Sequence, residues 1–301
     1  MAEGAAFVTG GSGFVGRHLI PELGDRTVVA PSRETLDLLD GPAVARAVAE
    51  AAPSAVFHLA ALASVSQSWE APGAVMRENL ETTLNLLDAV RREAPGAAVV
   101  VASSGEIYGP PDRLPVDETA PLRPQNPYAV SKAACDLLAQ QYADVHGLHV
   151  VRLRTFNQAG PGQSDEYVVG TIAKQIAAAE VAGAPSAVVE TGNPDSKRDF
   201  TDVRDAVRAY AMAAEVSPGA YNVCSGKAVS VRDLVGVAAD SARIPLEHRV
   251  RTARVRQHDV PEIRGSARLL TEQTAWAPRI PLEQTLADAI DAWRFELTGE
   301  H

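Results

Sequence analysis

Cysteine is nearly absent: only Cys135 and Cys224 occur in 301 residues, far apart and with no CxxC or Cys/His spacing. A disulfide framework is thereby excluded, and no structural metal site is expected. Basic charge is also short, with Lys+Arg 28 against Asp+Glu 38 and a formal net charge of −10. Such a chain gains nothing from neutralising phosphates, so nucleic acid is not an expected partner. No uninterrupted apolar run approaches the ~18 residues of a membrane span, and the opening MAEGAAFVTGGSGFVG lacks a basic region followed by an apolar one. The expectation is a cytoplasmic protein without a membrane partner. Aromatic residues are few as well, at 5%. What remains is 46% hydrophobic and 22% charged, with alanine and valine abundant and a mean hydropathy of −0.06. That composition supports a sizeable buried core. At ~100–200 residues per domain, the length allows two units or one large α/β domain.

Short apolar runs alternate with helical patterns through the first half. The runs are Ala5 to Thr9, Thr27 to Ala30, Ala55 to Ala60, Ala97 to Ala102 and Leu148 to Leu153. They are continuous, which suits strands buried on both faces of a parallel sheet. Helical patterns lie between them, as over Asn79 to Arg92 and Tyr128 to His146. This alternation predicts right-handed βαβ units in an α/β fold, a Rossmann-type doubly wound parallel sheet. Residues 1–157 form the predicted dinucleotide-binding domain, completed by segments near 200–224. Residues 158–301, with a helix expected from Val168 to Ala182, make a smaller C-terminal α/β substrate domain.

Residues 9–16 read TGGSGFVG directly after the first strand. Gly11, Gly13 and Gly16 satisfy GxGxxG, and Gly10, Gly13 and Gly16 the related GxxGxxG. Glycines here permit a tight turn and close backbone approach to a pyrophosphate, and the following helix offers free N–H groups to it. Glycine-rich turns end many strands, so the position between strand and helix is what gives this motif its weight. An NAD enzyme usually carries a carboxylate after the second strand. Here the sequence is Val29-Ala30-Pro31-Ser32-Arg33, with Glu34 next. A hydroxyl and a guanidinium suit a 2′-phosphate, so NADPH is favoured over NADH. Glu34, or Arg33 as a plain solvated charge, is the contrary reading.

Tyr128-Ala129-Val130-Ser131-Lys132 puts a phenol and an ammonium four residues apart, on one face of a helix. A free phenol, with a pKa of about 10, exchanges its proton poorly at neutral pH. A nearby cation favours the phenolate and lowers that pKa. The fourth strand ends in Ser103 and Ser104, hydroxyls able to bond a substrate oxygen beside Tyr128. Alone, a YxxxK pair is commonly a solvated helix face and such a serine a cap.

With these residues in view, the chain resembles the extended short-chain dehydrogenase/reductase family, which acts largely on nucleotide sugars. TGGSGFVG, HLAA (58–61), SSGEIYG (103–109) and YAVSK (128–132) carry the likeness, which covers essentially the whole chain. Within the family it is most similar to the GDP-6-deoxy-D-mannose reductase group, through SVSQSWEAP (64–72), RTFNQAGPGQ (154–163), RDFTDVRDAVRAY (198–210), YNVCSG (221–226) and the tail from 255 to 286. The resemblance implies Ser104, Tyr128 and Lys132 as catalytic residues. It implies cofactor contacts from Gly10, Gly13, Phe14, Val15, Gly16, Ser32, Arg33, Asp37, Leu38, Leu59, Ala60 and Ala61, with Tyr128 and Lys132. For a nucleotide-diphosphate sugar it implies Ser64, Ser104, Glu106, Asn157, Lys174, Arg198, Arg256 and Asp259. Guanidinium forks suit a diphosphate, although Arg256 sits in a basic stretch that could simply be surface. Relatives often form homodimers through the YxxxK helix. Ala133, Ala134, Leu137, Leu138 and Tyr142 could supply that surface or be ordinary core.

The implied activity is NADPH-dependent reduction at C4 of a nucleotide-linked 4-keto-6-deoxyhexose, foremost GDP-4-keto-6-deoxy-D-mannose. Departures from the family patterns leave rivals. Ser104-Gly105-Glu106 replaces the Thr-Asp-Glu of glucose-type 4,6-dehydratases, and Ala159-Gly160-Pro161-Gly162-Gln163 replaces the arginine-rich stretch of GDP-mannose dehydratases. Elimination needs a base and an acid; Glu106 could be the base, while Gly105 removes one acid. Gln158 stands where the reductases often have histidine. The alternatives are a 4-epimerase or dehydratase with retained NAD, a ketoreductase for a dTDP-linked sugar, and a non-catalytic dinucleotide-binding module.

Overall fold

The computed structural model describes residues 4–251 and 260–299. Its first half alternates strands β1 (Ala6–Thr9), β2 (Val28–Val29), β3 (Ala55–His58), β4 (Ala98–Ser104) and β5 (His149–Thr155) with helices α1 (Phe14–Glu22), α2 (Gly41–Ala51), α3 (Val65–Glu70), α4 (Pro72–Glu93) and α5 (Pro127–His146). Then follow β6 (Asn157–Ala159), α6 (Val168–Val181), β7 (Ala187–Thr191), β8 (Lys197–Asp202), α7 (Val203–Ala213) and β9 (Gly219–Val223). The chain closes with β10 (Ala228–Ser230), α8 (Val231–Ala239), β11 (Leu246–Val250), β12 (Glu262–Ile263), α9 (Arg268–Thr274) and α10 (Leu282–Thr298).

The main sheet runs β2-β1-β3-β4-β5-β9, and every pair in it is parallel. Helices cover both of its faces, so the strands need apolar residues on both sides. On one face Val44 and Val48 of α2, Leu86 and Val90 of α4, and Ala139 and Tyr142 of α5 pack on Phe7, Val99 and Val101. On the other, Leu19 of α1 and Val207 and Tyr210 of α7 pack on Val8, Phe57 and Val100. This is a Rossmann-type doubly wound sheet. Its strand order reverses between β1 and β3, the place where such sheets open a crevice at their carboxyl ends.

Two of the expected elements differ in extent. The second strand shrinks to two residues. Helix α4 begins at Pro72 instead of Asn79, because proline at a first helical position needs no N–H partner. On α5, Ala133, Leu138 and Tyr142 pack into core clusters, while Leu137 faces outward.

Beyond β5, short strands assemble around β8, which pairs with β10, β12 and β6, while β7 and β11 form a separate parallel pair. Ile172 and Ile176 of α6, Leu234 of α8 and Ile290 of α10 enclose the core of this part. Strand β9 lies beside β5 in the main sheet, so the chain returns to it after leaving at residue 156.

Candidate active site

The glycine loop joins β1 to α1. Gly10 has φ +72, and a Cβ there would lie 2.7 Å from the Ala60 amide nitrogen. A Cβ on Gly16 would overlap the Gly10 carbonyl. Glycine at both positions therefore lets loop, helix and β3 close up. Gly13 caps α1 without a side chain, and no acidic residue sits in the first turn. The N–H groups that begin α1 thus remain available to an anion. Phe14 and Val15 lie in that first turn, and their side chains pack against the core.

A cavity of about 270 Å³ opens beside this loop, at the reversal between β1 and β3. Gly10, Gly13, Arg33, Asp37, Leu38, Leu59, Ala60 and Ala61 line it, together with Leu62, Glu78, Asn79 and Thr82. The residues fit a dinucleotide: an uncapped helix end for the pyrophosphate and an apolar slot beyond it. Arg33 lines the cavity and lies 3.5 Å from Glu78, its side chain still 78% exposed. Neither Glu34 nor Ser32 is among the lining residues. The Ser32 hydroxyl turns instead to Thr35, at 3.3 Å.

The proton-transfer residues meet where β4 ends and α5 begins. Asn126 Oδ1 accepts the Ala129 N–H at 2.8 Å, and Pro127 follows, so α5 starts with Tyr128 in its first turn. Ser104 is buried, and its Oγ accepts the Glu106 N–H at 3.2 Å. Burial pushes the Tyr128 phenol up, and the neighbouring Ser104 hydroxyl opposes that rise. Lys132, one turn along α5, is buried, and that burial pulls its ammonium down, with Cys135 and Asp136 opposing. Glu106 reaches toward the same place, its Oε2 accepting from Asn126 Nδ2 at 3.2 Å. Behind the pair, His58 bridges Thr9 and Thr83 at 2.8 and 3.0 Å. Burial first and Lys132 second hold His58 down at about 3, so it is neutral.

The candidate substrate residues are less well gathered. Ser64 is used as the cap of α3, accepting the Gln67 N–H at 3.3 Å. Asn157 is half-buried in β6, paired with Phe200. Arg198 is buried, its Nη1 donating to the Val260 carbonyl at 2.7 Å. Lys174 donates to Asp165 at 2.8 Å and lies 4.9 Å from the Trp293 ring centre. Arg256 and Asp259 lie outside the described residues.

Asn79 was missed from the sequence. Its amide accepts the Leu62 N–H at 2.8 Å and donates to the Leu62 carbonyl at 3.1 Å and to Ser131 at 2.9 Å. It thereby fixes one wall of the cavity to the helix that carries Tyr128. The signal was available, because Asn79 falls on the apolar stripe of α4 with Val75, Leu86 and Val90. A polar residue on a buried face needs partners.

The chain matches the family described as GDP-mannose 4,6 dehydratase over residues 31–289. It belongs to that family, within the extended short-chain dehydrogenases/reductases. Among curated relatives, the GDP-6-deoxy-D-mannose reductase of Pseudomonas aeruginosa is 36% identical, with 98% of each chain covered. The solved structure of RMD from Pseudomonas aeruginosa complexed with NADPH superposes with a TM-score of 0.85 at 34% identity, covering 97% of this chain and 99% of that one. The UDP-glucose 4-epimerase of Thermus thermophilus, complexed with NAD, gives a TM-score of 0.83 at 30% identity over 96% and 99% of the two chains. The chain is an NAD(P)-dependent nucleotide-sugar enzyme of the extended type. Among the described residues, no helix is long and apolar enough to cross a membrane.

Proposed function

We propose that the chain reduces the C4 keto group of a nucleotide-diphospho-4-keto-6-deoxyhexose with NADPH, foremost GDP-4-keto-6-deoxy-D-mannose to GDP-D-rhamnose. The observation that carries this is the Ser104–Tyr128 pair beside buried Lys132, in a chain similar along 98% of its length to a GDP-6-deoxy-D-mannose reductase. When bound, the nicotinamide supplies the hydride. Ser104 donates a hydrogen bond to the C4 oxygen, polarising it. Tyr128 gives that oxygen its proton, and Lys132 stabilises the phenolate left behind. Arg33 in the cavity wall supports NADPH over NADH, since a guanidinium fork matches a 2′-phosphate. Arg198, Arg256 and Asp259 are assigned to the diphosphate and ribose of the substrate. Leu84, Val130 and Leu137 are exposed on α4 and α5, which supports a homodimer through these helices.

Glu106 favours a second reading. Its charge acts on Tyr128, and a carboxylate so placed suits proton abstraction in a 4,6-elimination. A matched turnover assay separates the readings. GDP-mannose and dTDP-glucose are each converted to the 4-keto-6-deoxy form by a separate dehydratase and offered with NADPH or NADH. Oxidation of NADPH with the GDP-linked ketosugar is expected, and NMR of the product then gives the C4 configuration. Turnover with the dTDP-linked sugar alone discards the substrate. Conversion of GDP-mannose itself without added cofactor establishes the dehydratase reading.

A further inference from the structure

Ser104 and Tyr128 come from different elements, β4 and α5, and one buried carboxylate ties those elements together. Asp136 lies one helical turn beyond Lys132, so Tyr128, Lys132 and Asp136 form a stripe along α5. Its side chain is fully buried. It accepts from Ser103 Oγ at 2.7 Å, from Arg152 Nη1 at 3.0 Å, and from Arg154 Nε and Nη2 at 3.1 and 2.9 Å. The carboxylate's acceptor sites are thus filled from β4 on one side and β5 on the other. Arg154 extends the lattice by donating to the Tyr108 hydroxyl and to the Glu118 carbonyl, both at 3.1 Å, and Tyr108 in turn donates to Asn222 at 2.8 Å. A purely structural ion pair has no need to grip the residue adjoining Ser104, nor to stand one turn from Lys132. This one does both.

We infer that Asp136 and Ser103 are positioning residues that set the approach of Ser104 to Tyr128 and the proton affinity of the Tyr128–Lys132 pair, an inference that rests on the ketoreductase reading above. Ser103 holds the end of β4 against α5, and Ser104 follows in the same strand. Asp136 also supplies the negative charge that offsets Arg152, Arg154 and Lys132 together. The other groups acting on the pair are neutral His58 from β3, Glu106 from the turn after β4, Cys135 on α5, Tyr167 before α6 and Tyr210 on α7. Glu118 acts on Arg154 from the loop before α5. Removing the Asp136 charge makes the site more positive. The first proton of the coupled pair then leaves at lower pH, whether it comes from phenol or ammonium.

Two variants separate geometry from charge. Ser103→Ala removes one hydrogen bond and no charge. Its kcat is expected to fall about ten-fold, with the Kd for NADPH within two-fold of the parent and the alkaline limb of the kcat profile unmoved. Asp136→Asn keeps the shape and is expected to move that alkaline limb down by about one pH unit. Circular dichroism checks that both are folded. Ultraviolet difference titration against Tyr128→Phe, with NADP+ bound, reads the phenol directly and needs no turnover. If the parent enzyme turns over no ketosugar, the function reading fails, and the phenol titration of Asp136→Asn still decides the charge role. An unshifted phenol in folded Asp136→Asn, or unchanged kcat in Ser103→Ala, overturns the inference.

Discussion

The main sheet and the region around β8 are both buried, but by opposite means. Strand β3 is Ala-Val-Phe-His, with its single polar side chain at the end that faces the site. Strand β8 buries Arg198, Asp199, Thr201 and Asp202 along its length. Away from the β4–β5 junction that Asp136 ties, the sheet coheres through burial of apolar surface, a non-directional force that needs only the right residue classes in sequence. The β8 region is held by carboxylates that gather backbone from distant segments. Asp199 accepts from the Ser225 amide and hydroxyl, the Gly226 amide and the Gly265 amide, at 2.7, 2.6, 2.9 and 3.1 Å. Asp205 accepts the N–H groups of Arg279 and Ile280, both at 2.8 Å. One side tolerates exchange among apolar residues; the other depends on particular atoms.

The junction between the regions should show the largest effects. Tyr128→Phe is expected to lower kcat by at least about 100-fold, with NADPH affinity within two-fold in a fluorescence titration; comparable losses of both would sink its assigned role. Gly10→Ala, strained at positive φ and set against Ala60, is expected to weaken NADPH binding by more than about ten-fold. For stability, the contrast predicts about 3 kcal/mol lost by Asp199→Ala, which strands several buried donors. Val100→Ala in the sheet is expected to cost about 1–2 kcal/mol. Equal losses in denaturant unfolding would erase the distinction. His58 is a polar residue within the apolar side, and its effect is a pH dependence. It is held down at about 3 in the fold, while unfolded histidine takes a proton below about 6.5. The unfolded state then binds more protons, so stability falls by about 1.4 kcal/mol per unit as pH drops below 6.5. Chemical denaturation across that window should flatten in His58→Gln. Arg268→Ala, which breaks an exposed pair with Glu272 at 2.8 Å, is expected to stay within about 0.5 kcal/mol.

The same contrast governs what the sequence could reveal. The parallel sheet was legible because continuous apolar runs such as Val99-Val100-Val101 have one common explanation. The glycine loop was legible because its backbone demands exclude other residues at Gly10 and Gly16. Tyr128 and Lys132 stood out by their spacing on one helix turn, while the strand end offered Ser103 and Ser104 alike and only the family resemblance singled out Ser104. Asp136 and Asn79 did not stand out, since each acts across elements whose packing no local pattern encodes. The contact of Lys174 with Trp293 is of the same kind, formed only when α6 meets α10. The direction of the Ser32 hydroxyl was not legible either, since in a turn it is set by a neighbour such as Thr35.

Strand β9 completes the main sheet from residues 219–223, long after β5 ends at Thr155. During synthesis, the ribosome must therefore add the whole β8 region before the sheet receives its last strand. At about 5–20 residues per second, β5 waits several seconds as a bare edge, the strand condition most open to pairing with another chain. Arg152 and Arg154, at alternate positions of β5, point to the face that α5 covers, where Asp136 pairs them.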